Sequence, residues 1–471
     1  MRIGGLRETL EVTDRPIVLG PTVVSAAAAR SAPASAVPPT FLQHDHLQAA
    51  LIFPTESTYL GVVTYIPGVL DADALVAAVT GFVQAHDGLR TWFEPTGDGF
   101  VRHVLEPDGV ELEAAELTEP TGGTEWTDAL ANYFATTITP FDWPGLSVAA
   151  IVRPAGFEVV FVADHAFSDG MSQALASLEL TDRYAAALAG RVQERAISGD
   201  SSADYAIDER ARADDALAEA LFPLWDRELA QVGYRLPAAG IDLGIEHGTR
   251  HSRTIRSRTL LDAEQGRAFD AVLADLDASL SVALFAALAL AQYELTAEER
   301  FWTLNVVATR CGNRFARAQG WFCNFVPLSF QVPPNASFTA LVPVVRAALE
   351  RNRTLARVPA HGAIGRLVAS GREIATRDPG FVTVLDLRRP AAAAPETADT
   401  RLFSAEGVTS SLGIWLGRNA TEYFLALGAP DAPATWERLS GYADRIQHVL
   451  AEIARTGDYR PVQRVRAQVY G

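Results

Sequence analysis

The sequence predicts an α+β protein of two subdomains, and three observations support that fold class. With 471 residues, the chain is longer than a single hydrophobic core usually supports. Helical and strand-like patterns occur in similar amounts in both halves. A polar, acidic segment at residues 195–215, with a turn signal at residues 198–201, separates them. We therefore expect one subdomain over residues 1–210 and another over residues 211–471.

The first half begins with strand-like, turn-rich residues 1–24. Residues 25–39 are rich in Ala, Ser and Pro, which predicts an extended connector. Asp71 is a suitable cap for a helix that Gly88 closes. The apolar residues of this helix fall on one face: Leu75, Val76, Val79, Phe82 and Val83.

A hairpin is predicted next, because residues 91–93 and 100–105 flank a turn that contains two glycines. Residues 146–153 and 157–163 are apolar runs joined by a Pro-Ala-Gly turn, which predicts two adjacent antiparallel strands. The second strand leads into the segment 164–170, and helical spacing follows. This segment therefore lies between a buried strand and a helix, a rigid place from which to present a side chain.

The second half has a similar mixture of elements. The spacing of its apolar residues predicts helices near residues 213–232, 263–293, 337–353 and 433–454. Apolar runs predict strands at residues 302–308, 381–385, 412–416 and 423–427. Residues 390–400 are expected to form a surface loop.

Composition argues against several classes of protein. The net charge of −17 disfavours a nucleic-acid partner, because phosphate binding requires a concentrated cationic surface. The longest apolar run, at residues 281–291, is too short to span a bilayer. Cys311 and Cys323 form neither a disulfide framework nor a CxxC pair, and the chain does not begin with a signal-peptide pattern. These features predict a cytoplasmic protein without a membrane span.

The segment 164–170, Asp-His-Ala-Phe-Ser-Asp-Gly, carries the candidate chemistry. Near neutral pH, the imidazole of His165 can accept a proton from a hydroxyl or amine that attacks a carbonyl. Asp169 only accepts hydrogen bonds when ionised, so it needs a cationic or multi-donor partner if it is buried. Gly170 allows the backbone to approach a ligand closely. The alternative is a capped helix start in which His165 is a core histidine without a catalytic role.

The spacing of this segment resembles the HHxxxDG motif of the condensation-domain superfamily of acyltransferases, which includes chloramphenicol acetyltransferase. Further stretches occur in the order of that family's motifs: residues 38–43 with His46 and Leu47, residues 86–91, residues 139–142, and Asn313 and Arg314 with residues 320–328. The first of these stretches is most similar to the polyketide-associated acyltransferases of actinobacterial lipid pathways. The resemblance extends over about residues 1–455.

The resemblance implies two chloramphenicol-acetyltransferase-like subdomains in a V-shaped pseudodimer, with a tunnel between them and His165 near its middle. The implied donor is a phosphopantetheine thioester, either CoA or a carrier protein. His165 is then the general base for direct attack by the acceptor, without an acyl-enzyme. The backbone N–H of Gly170 is one candidate for stabilising the oxyanion, and Asn324 is a second. Ser411, beside a predicted strand, is a candidate for placing a hydroxyl toward the tunnel.

One position departs from the motif, because Asp164 stands where the family usually has its first histidine. An adjacent carboxylate that pointed inward would favour a protonated His165. Since neighbouring residues of a strand point to opposite faces, we expect Asp164 to point away. The resemblance also implies that Asp169 is structural, faces away from the substrate and pairs with Arg90.

Other candidate residues have simpler explanations. No G-x-S-x-G elbow surrounds Ser168 or Ser172, and Ser172 is better explained as a helix-start residue. His44 and His46 have no third ligand at a suitable spacing, so no metal site is predicted. Cys323 is expected to be a small buried side chain rather than a thiolate.

The sequence therefore predicts an acyltransferase that moves an acyl group from a CoA or carrier-protein thioester to a hydroxyl or amine, in lipid or natural-product biosynthesis. No tightly bound cofactor is expected, and the resemblance implies a monomer. Two alternatives stay open. One is an amide-forming condensation enzyme that acts on two carrier-bound substrates. The other is a degenerate condensation-like domain that recruits a partner protein.

Overall fold

The computed structural model describes residues 3–54, 56, 58–120, 122, 125–191, 201–246, 248–310, 314–375, 379–388 and 400–461. The chain forms two compact units. The first comprises residues 1–211, 308–323 and 390–407, and the second comprises residues 212–307, 324–389 and 408–471. Two later segments, residues 308–323 and 390–407, thus belong to the first unit. The predicted subdomains, residues 1–210 and 211–471, are continuous and do not include this return. The predicted turn at residues 198–200 and most of the predicted loop at 390–400 lie outside the described residues.

The strands, in chain order, are β1 (Ile3–Gly5), β2 (Ile17–Pro21), β3 (Ala34–Ser35), β4 (Tyr59–Pro67), β5 (Thr91–Thr96), β6 (Gly99–Val104), β7 (Leu112–Glu116), β8 (Leu146–Arg153), β9 (Gly156–Asp164), β10 (His251–Leu261), β11 (Arg300–Ala308), β12 (Cys323–Gln331), β13 (Phe381–Asp386), β14 (Arg401–Ser404), β15 (Val408–Thr409), β16 (Gly413–Arg418) and β17 (Tyr423–Pro430). Both units contribute strands, in agreement with the predicted mixed fold.

The helices are α1 (Leu6–Thr9), α2 (Val23–Arg30), α3 (Phe41–Ile52), α4 (Ala72–Ala85), α5 (Trp126–Thr137), α6 (Gly170–Leu188), α7 (Ser202–Asp214), α8 (Ala216–Ala230), α9 (Ala263–Asp275), α10 (Leu280–Thr296), α11 (Phe338–Leu355), α12 (Ala360–Ala369) and α13 (Pro433–Thr456). Among the described residues, no single helix is long and apolar enough to cross a bilayer. Helices α9 and α10 meet that criterion only when they are taken together, across a sharp bend.

The main sheet of the first unit has the strand order β1-β14-β4-β9-β8-β2-β7. Strand β9 lies at its centre, antiparallel to β4 on one side and to β8 on the other. Every residue of β9 is buried, because both faces of the strand are covered. Gly156 begins this strand at a close approach, where an added Cβ would lie 2.3 Å from the carbonyl oxygen of Ile66.

The segment after β2 is more helical than the sequence predicts. An extended connector is predicted over residues 25–39, but α2 includes residues 25–30 and begins where the Thr22 hydroxyl caps the Ser25 amide. The alanines of this segment have a high helix propensity. The predicted connector follows from the neighbouring prolines and does not take that propensity into account. Helix α3 begins at a capping box formed by Thr40 and Gln43.

The second unit is built around a sheet with the order β12-β11-β13-β16-β17-β10-β15. Helix α10 is buried on all sides from Val282 to Tyr293 and belongs to the core of this unit. The single helix predicted at residues 263–293 is wrong, because α9 and α10 are separate and bend by 106°. Asp277 adopts a positive φ of 46° at the break, and the Ser279 hydroxyl caps the next helix.

Candidate active site

The candidate site is the loop that joins β9 to α6 in the first unit. Strand β9 ends at Asp164, and one 3₁₀ turn follows from His165 to Phe167. Asp169 is the N-cap of α6, which begins at Gly170. The central strand and a 19-residue helix therefore hold both ends of this seven-residue segment.

The ring of His165 is held in one orientation by the loop itself. Its Nδ1 lies 2.9 Å from the carbonyl oxygen of Ser168. A carbonyl oxygen can only accept a hydrogen bond, so Nδ1 carries the proton and donates it. In the neutral ring, the lone pair therefore belongs to Nε2. This is the tautomer that a general base requires.

The surroundings of His165 favour its neutral form. Burial, and to a smaller extent the charge of His46, lower the pKa of His165 to about 4. A backbone hydrogen bond and the charge of Asp164 raise the pKa by less. The indole of Trp321 stacks on the ring, with the two centroids 3.9 Å apart and the planes at 28°. The imidazole is thus uncharged at neutral pH, and Trp321 covers one of its faces.

The carboxylate of Asp164 is directed toward helix α3. Its Oδ1 accepts a hydrogen bond from the Ala166 amide at 2.8 Å and lies 2.8 Å from Nε2 of His46. No hydrogen bond joins Asp164 to the His165 ring among the described residues. His46 thus holds the carboxylate that stands in place of the family's first histidine.

Asp169 ties the loop to the returning segment 308–323. Its Oδ1 accepts a 2.6 Å hydrogen bond from the Ser172 amide and pairs with Arg310 at 3.3 Å. Its Oδ2 accepts a hydrogen bond from the Phe322 amide at 2.9 Å. The carboxylate is therefore fully engaged in anchoring the start of α6.

The predicted pairing of Asp169 with Arg90 is wrong. The guanidinium of Arg90 is buried and donates instead to the carbonyl of Leu105. The cation beside Asp169 is Arg310, which also bonds to Ser172 Oγ at 2.6 Å and lies over the ring of Phe322. Arg310 reaches this position because residues 308–323 return to the first unit, which the sequence does not reveal.

Gly170 lies at the open side of the loop. It is exposed, and an added Cβ would have no heavy atom within 4 Å. As the first residue of α6, it has an N–H without an intrahelical acceptor. This geometry suits a backbone donor that faces a ligand.

The two candidates in the second unit differ from each other. The amide of Asn324 donates to the carbonyl oxygens of Ala356 and Val358 and accepts from the amide of Ala360. Its side chain therefore fixes the connection between α11 and α12, which leaves the amide no group to offer an oxyanion. Ser411 is buried, and its Oγ has no hydrogen-bond partner among the described residues. Its assignment to a substrate surface stays a prediction.

Neither Ser168 of the loop nor Ser172 of α6 is arranged as a nucleophile. Ser172 Oγ donates to the carbonyl of Gly320 at 2.7 Å, and Ser168 Oγ accepts from the Gln173 amide at 2.9 Å. Cys323 is buried, which raises the pKa of its thiol well above the usual value. No cluster of three or more His, Cys, Asp or Glu side chains that could hold a metal occurs in the described part of the chain.

Sequence reasoning did not assign His46, Arg310 or Trp321 to the site. His46 had a signal, because it falls in a stretch with the family's spacing and follows another histidine at position 44. Trp321 lies inside the downstream motif, although nothing there indicates that its ring covers His165. Arg310 precedes Cys311 and Asn313, which lie outside the described residues. Arg314, which does belong to the downstream motif, pairs with Asp208, whereas Arg310 pairs with Asp169.

Comparisons with known proteins bear on the family and the fold of this chain. A sequence profile described as "Condensation domain" matches residues 34–373. The acyltransferase PapA1 of Mycobacterium bovis, a 2'-acyl-2-O-sulfo-trehalose (hydroxy)phthioceranyltransferase, is 25% identical over 465 residues, which cover 95% of this chain and 88% of PapA1. The trehalose-2-sulfate acyltransferase PapA2 of Mycobacterium tuberculosis is 27% identical over 315 residues, 65% of each chain.

Solved structures show the same fold. A PapA2 acyl transferase structure superposes with a TM-score of 0.85 at 22% identity, covering 96% of this chain and 100% of the other. The first condensation domain of the CDA synthetase has a TM-score of 0.71 at 19% identity and covers 90% of this chain and 98% of the other. The fold is therefore the predicted α+β, chloramphenicol-acetyltransferase-like one.

Fold and relatives together define an acyltransferase, as predicted. Since the profile spans well over half of its residues, this chain belongs to the condensation-domain family. Its curated relatives are mycobacterial acyltransferases of lipid pathways.

Proposed function

We propose that this protein transfers an acyl group from a phosphopantetheine thioester, as CoA or on a carrier protein, to a hydroxyl acceptor, with His165 as general base. The observation that carries the proposal is the hydrogen bond from His165 Nδ1 to the Ser168 carbonyl. This bond leaves the Nε2 lone pair available in a ring that is neutral at physiological pH.

The reaction proceeds in two steps. As the acceptor oxygen attacks the thioester carbonyl, its proton moves to Nε2 of His165, and a tetrahedral oxyanion forms. The oxyanion then collapses, the carbon–sulfur bond breaks, and the leaving thiolate takes the proton from His165. Ser168, Ser172 and Cys323 are hydrogen-bonded or buried, which supports direct transfer without an acyl-enzyme.

The amide of Gly170 is the proposed oxyanion donor of the first unit. It lies at the positive end of the α6 dipole, which favours a negatively charged oxygen. Gly170→Ala adds one methyl group on the open side and should leave stability within about 1 kcal/mol, because no atom is close. We expect at least about a tenfold loss of kcat/KM from obstruction of the thioester.

A matched control for this glycine is Gly365→Ala in the second unit. Gly365 is exposed in α12 and also has open space around its Cβ position. Removing a helical glycine should stabilise the protein slightly without a change in turnover. Equal activity of Gly170→Ala and Gly365→Ala would remove Gly170 from the site.

The acceptor is proposed to be a hydroxyl of a carbohydrate or similar polyol. The names of PapA1 and PapA2 both specify a sulfated trehalose as acceptor for those proteins. The amide-forming alternative is supported by the CDA condensation domain, whose TM-score of 0.71 is lower than that of PapA2. The recruitment alternative is disfavoured because His165 is held in one orientation with Nε2 available, and Asp169 anchors the loop that carries it.

The decisive experiment offers acyl-CoA and acyl-carrier thioesters with sugar and amine acceptors, and follows thiol release together with product mass. His165→Ala should lower the rate by about 10²–10⁴-fold. His448→Ala, an exposed histidine of α13, serves as control and should turn over like the wild type. Equal turnover of wild type and His165→Ala would contradict the base assignment. Amide products alone would favour the condensation alternative.

A further inference from the structure

A buried hydrogen-bonded pair, His46 with Asp164, lies beside the proposed base. Nε2 of His46 is 2.8 Å from Oδ1 of Asp164, and the two side chains are only 9% and 4% exposed. The residues come from α3 and from the end of β9, which are 118 positions apart. The pair is therefore assembled by the fold of the first unit rather than by a local turn.

The same pair is in contact with the aromatic surroundings of His165. The ring centroid of His46 lies 6.3 Å from that of His165 and 5.9 Å from that of Trp321. Trp321 meets His46 nearly edge-on, at 87°, and stacks on His165 with its face. The rings of His46, His165 and Trp321 are thus each in contact with the other two.

The charge of Asp164 bears on the protonation state of His165. A carboxylate next to a catalytic imidazole stabilises the protonated ring, which cannot act as a base. A buried carboxylate also needs a partner that supplies protons. The Ala166 amide supplies one hydrogen bond, and the His46 ring, with Nε2 at 2.8 Å, is the second partner of the carboxylate.

We propose that His46 and Asp164 are positioning residues that act as one unit, in which His46 neutralises the Asp164 charge and thereby keeps His165 in its basic form. The inference rests on the proposed role of His165. In this chain, a histidine from α3 and an aspartate at the motif's first position replace the single histidine that the family's motif places there.

Few other charges compete with this pair. On the loop side, Asp169 is occupied by Arg310, Ser172 and Phe322. Beyond Trp321, the Cys323 thiol stays protonated, because burial raises its pKa. On α3, His44 and Asp45 are 42% and 63% exposed and lie toward solvent. Burial is the largest cause of the lowered pKa of His165, and among the described charged groups His46 lowers it while Asp164 raises it.

The test is the titration of the His165 imidazole, followed by NMR of histidine-labelled protein. His46→Gln removes a cation at 6.3 Å and leaves the carboxylate, so the midpoint should rise by about one pH unit. Asp164→Asn should move it in the opposite direction, because this substitution removes the carboxylate that stabilises the protonated ring. The double variant should lie between the two single variants.

A merely structural pair would lower thermal stability without moving the midpoint. Unchanged midpoints in folded His46→Gln and Asp164→Asn proteins would therefore overturn the inference. If His46→Gln fails to fold, Asp164→Asn decides alone, since its amide oxygen can still cap Ala166. Because the titration needs no turnover, it separates this inference from the base assignment, which His165→Ala tests by activity.

Discussion

At the scale of single residues, the site depends on how one imidazole is held and on what surrounds it. The Ser168 carbonyl selects the tautomer of His165, and burial disfavours the charged ring. A neutral carbonyl fixes the ring without raising the basicity of Nε2 as a carboxylate partner would. The site therefore keeps this imidazole uncharged over a wide range of pH.

This environment predicts an unusual pH profile. The pKa of His165 is lowered to about 4, so the basic form persists well below the ordinary histidine value. We expect kcat/KM to be flat from neutral pH down to about pH 5 and to fall through about pH 4. Initial rates measured across this pH range give kcat/KM, which reports the pKa of the free enzyme, and so test this prediction. A fall centred at about pH 6.5 would contradict the assigned environment.

The anchoring of Asp169 gives a second prediction at this scale. Arg310→Ala would leave a carboxylate with 12% exposure unpaired, at a cost of about 3–5 kcal/mol in unfolding free energy. A double-mutant cycle between Asp169→Ala and Arg310→Ala should give a coupling of about 1–3 kcal/mol.

The control cycle pairs Asp169→Ala with Arg90→Ala, which removes another buried arginine. These two residues do not bond, so their effects on urea unfolding should add within about 0.5 kcal/mol. A large coupling to Arg90 and none to Arg310 would restore the pairing expected from the sequence.

At the scale of elements, helix α3 does more than carry His46. Gln43 is buried, and its amide Nε2 donates to the carbonyl of Ala166 at 2.7 Å. Its Oε1 accepts from the Thr40 amide and from Arg102. One side chain thus caps α3 and connects that helix to the 3₁₀ turn of the candidate loop.

Gln43→Ala should therefore destabilise the protein by about 2–3 kcal/mol, since it removes a cap and leaves buried partners unsatisfied. Gln48→Ala changes an exposed residue of the same helix and should shift the unfolding free energy by less than about 0.5 kcal/mol. Thermal and urea unfolding of the two variants compare them directly. Equal effects would show that the Gln43 bonds contribute no stability.

Local patterns predict some elements well and others poorly. The strand β9, the loop and α6 follow from a largely apolar run, a capping aspartate and a glycine. The break between α9 and α10 was missed, because the apolar pattern of residues 263–293 continues across Asp277. The partner of Asp169 was missed for a different reason. It depends on a segment 141 positions away, and no local pattern encodes such a contact.

At the scale of the whole molecule, the first unit is discontinuous in sequence. Residues 308–323 supply Arg310 and Trp321, and residues 390–407 supply β14, which lies between β1 and β4 in the main sheet. Phe403 of β14 is buried against Gly61, where an added Cβ would lie 2.1 Å from the ring. The N-terminal residues alone therefore lack part of both their sheet and their site.

A fragment of residues 1–211 is accordingly expected not to fold cooperatively on its own. Without β14 it exposes the edge of β4, and without Arg310 it leaves Asp169 unpaired. Co-expression with residues 212–471 supplies both segments and should restore soluble protein with cooperative urea unfolding. An isolated fragment that unfolds at the midpoint of the intact protein would show that the returning segments are dispensable.

The position of β14 also has a consequence for synthesis on the ribosome. Strand β4 pairs with a strand that is translated roughly 340 residues later, which takes about 17–68 s at about 5–20 residues per second. For that time, the nascent chain carries an unfilled edge on β4, the neighbour of the fully buried strand β9. Such an edge can pair with another nascent chain. The yield of native enzyme should therefore depend on chaperones that shield the edge during translation, and on slower, cooler expression when they are scarce.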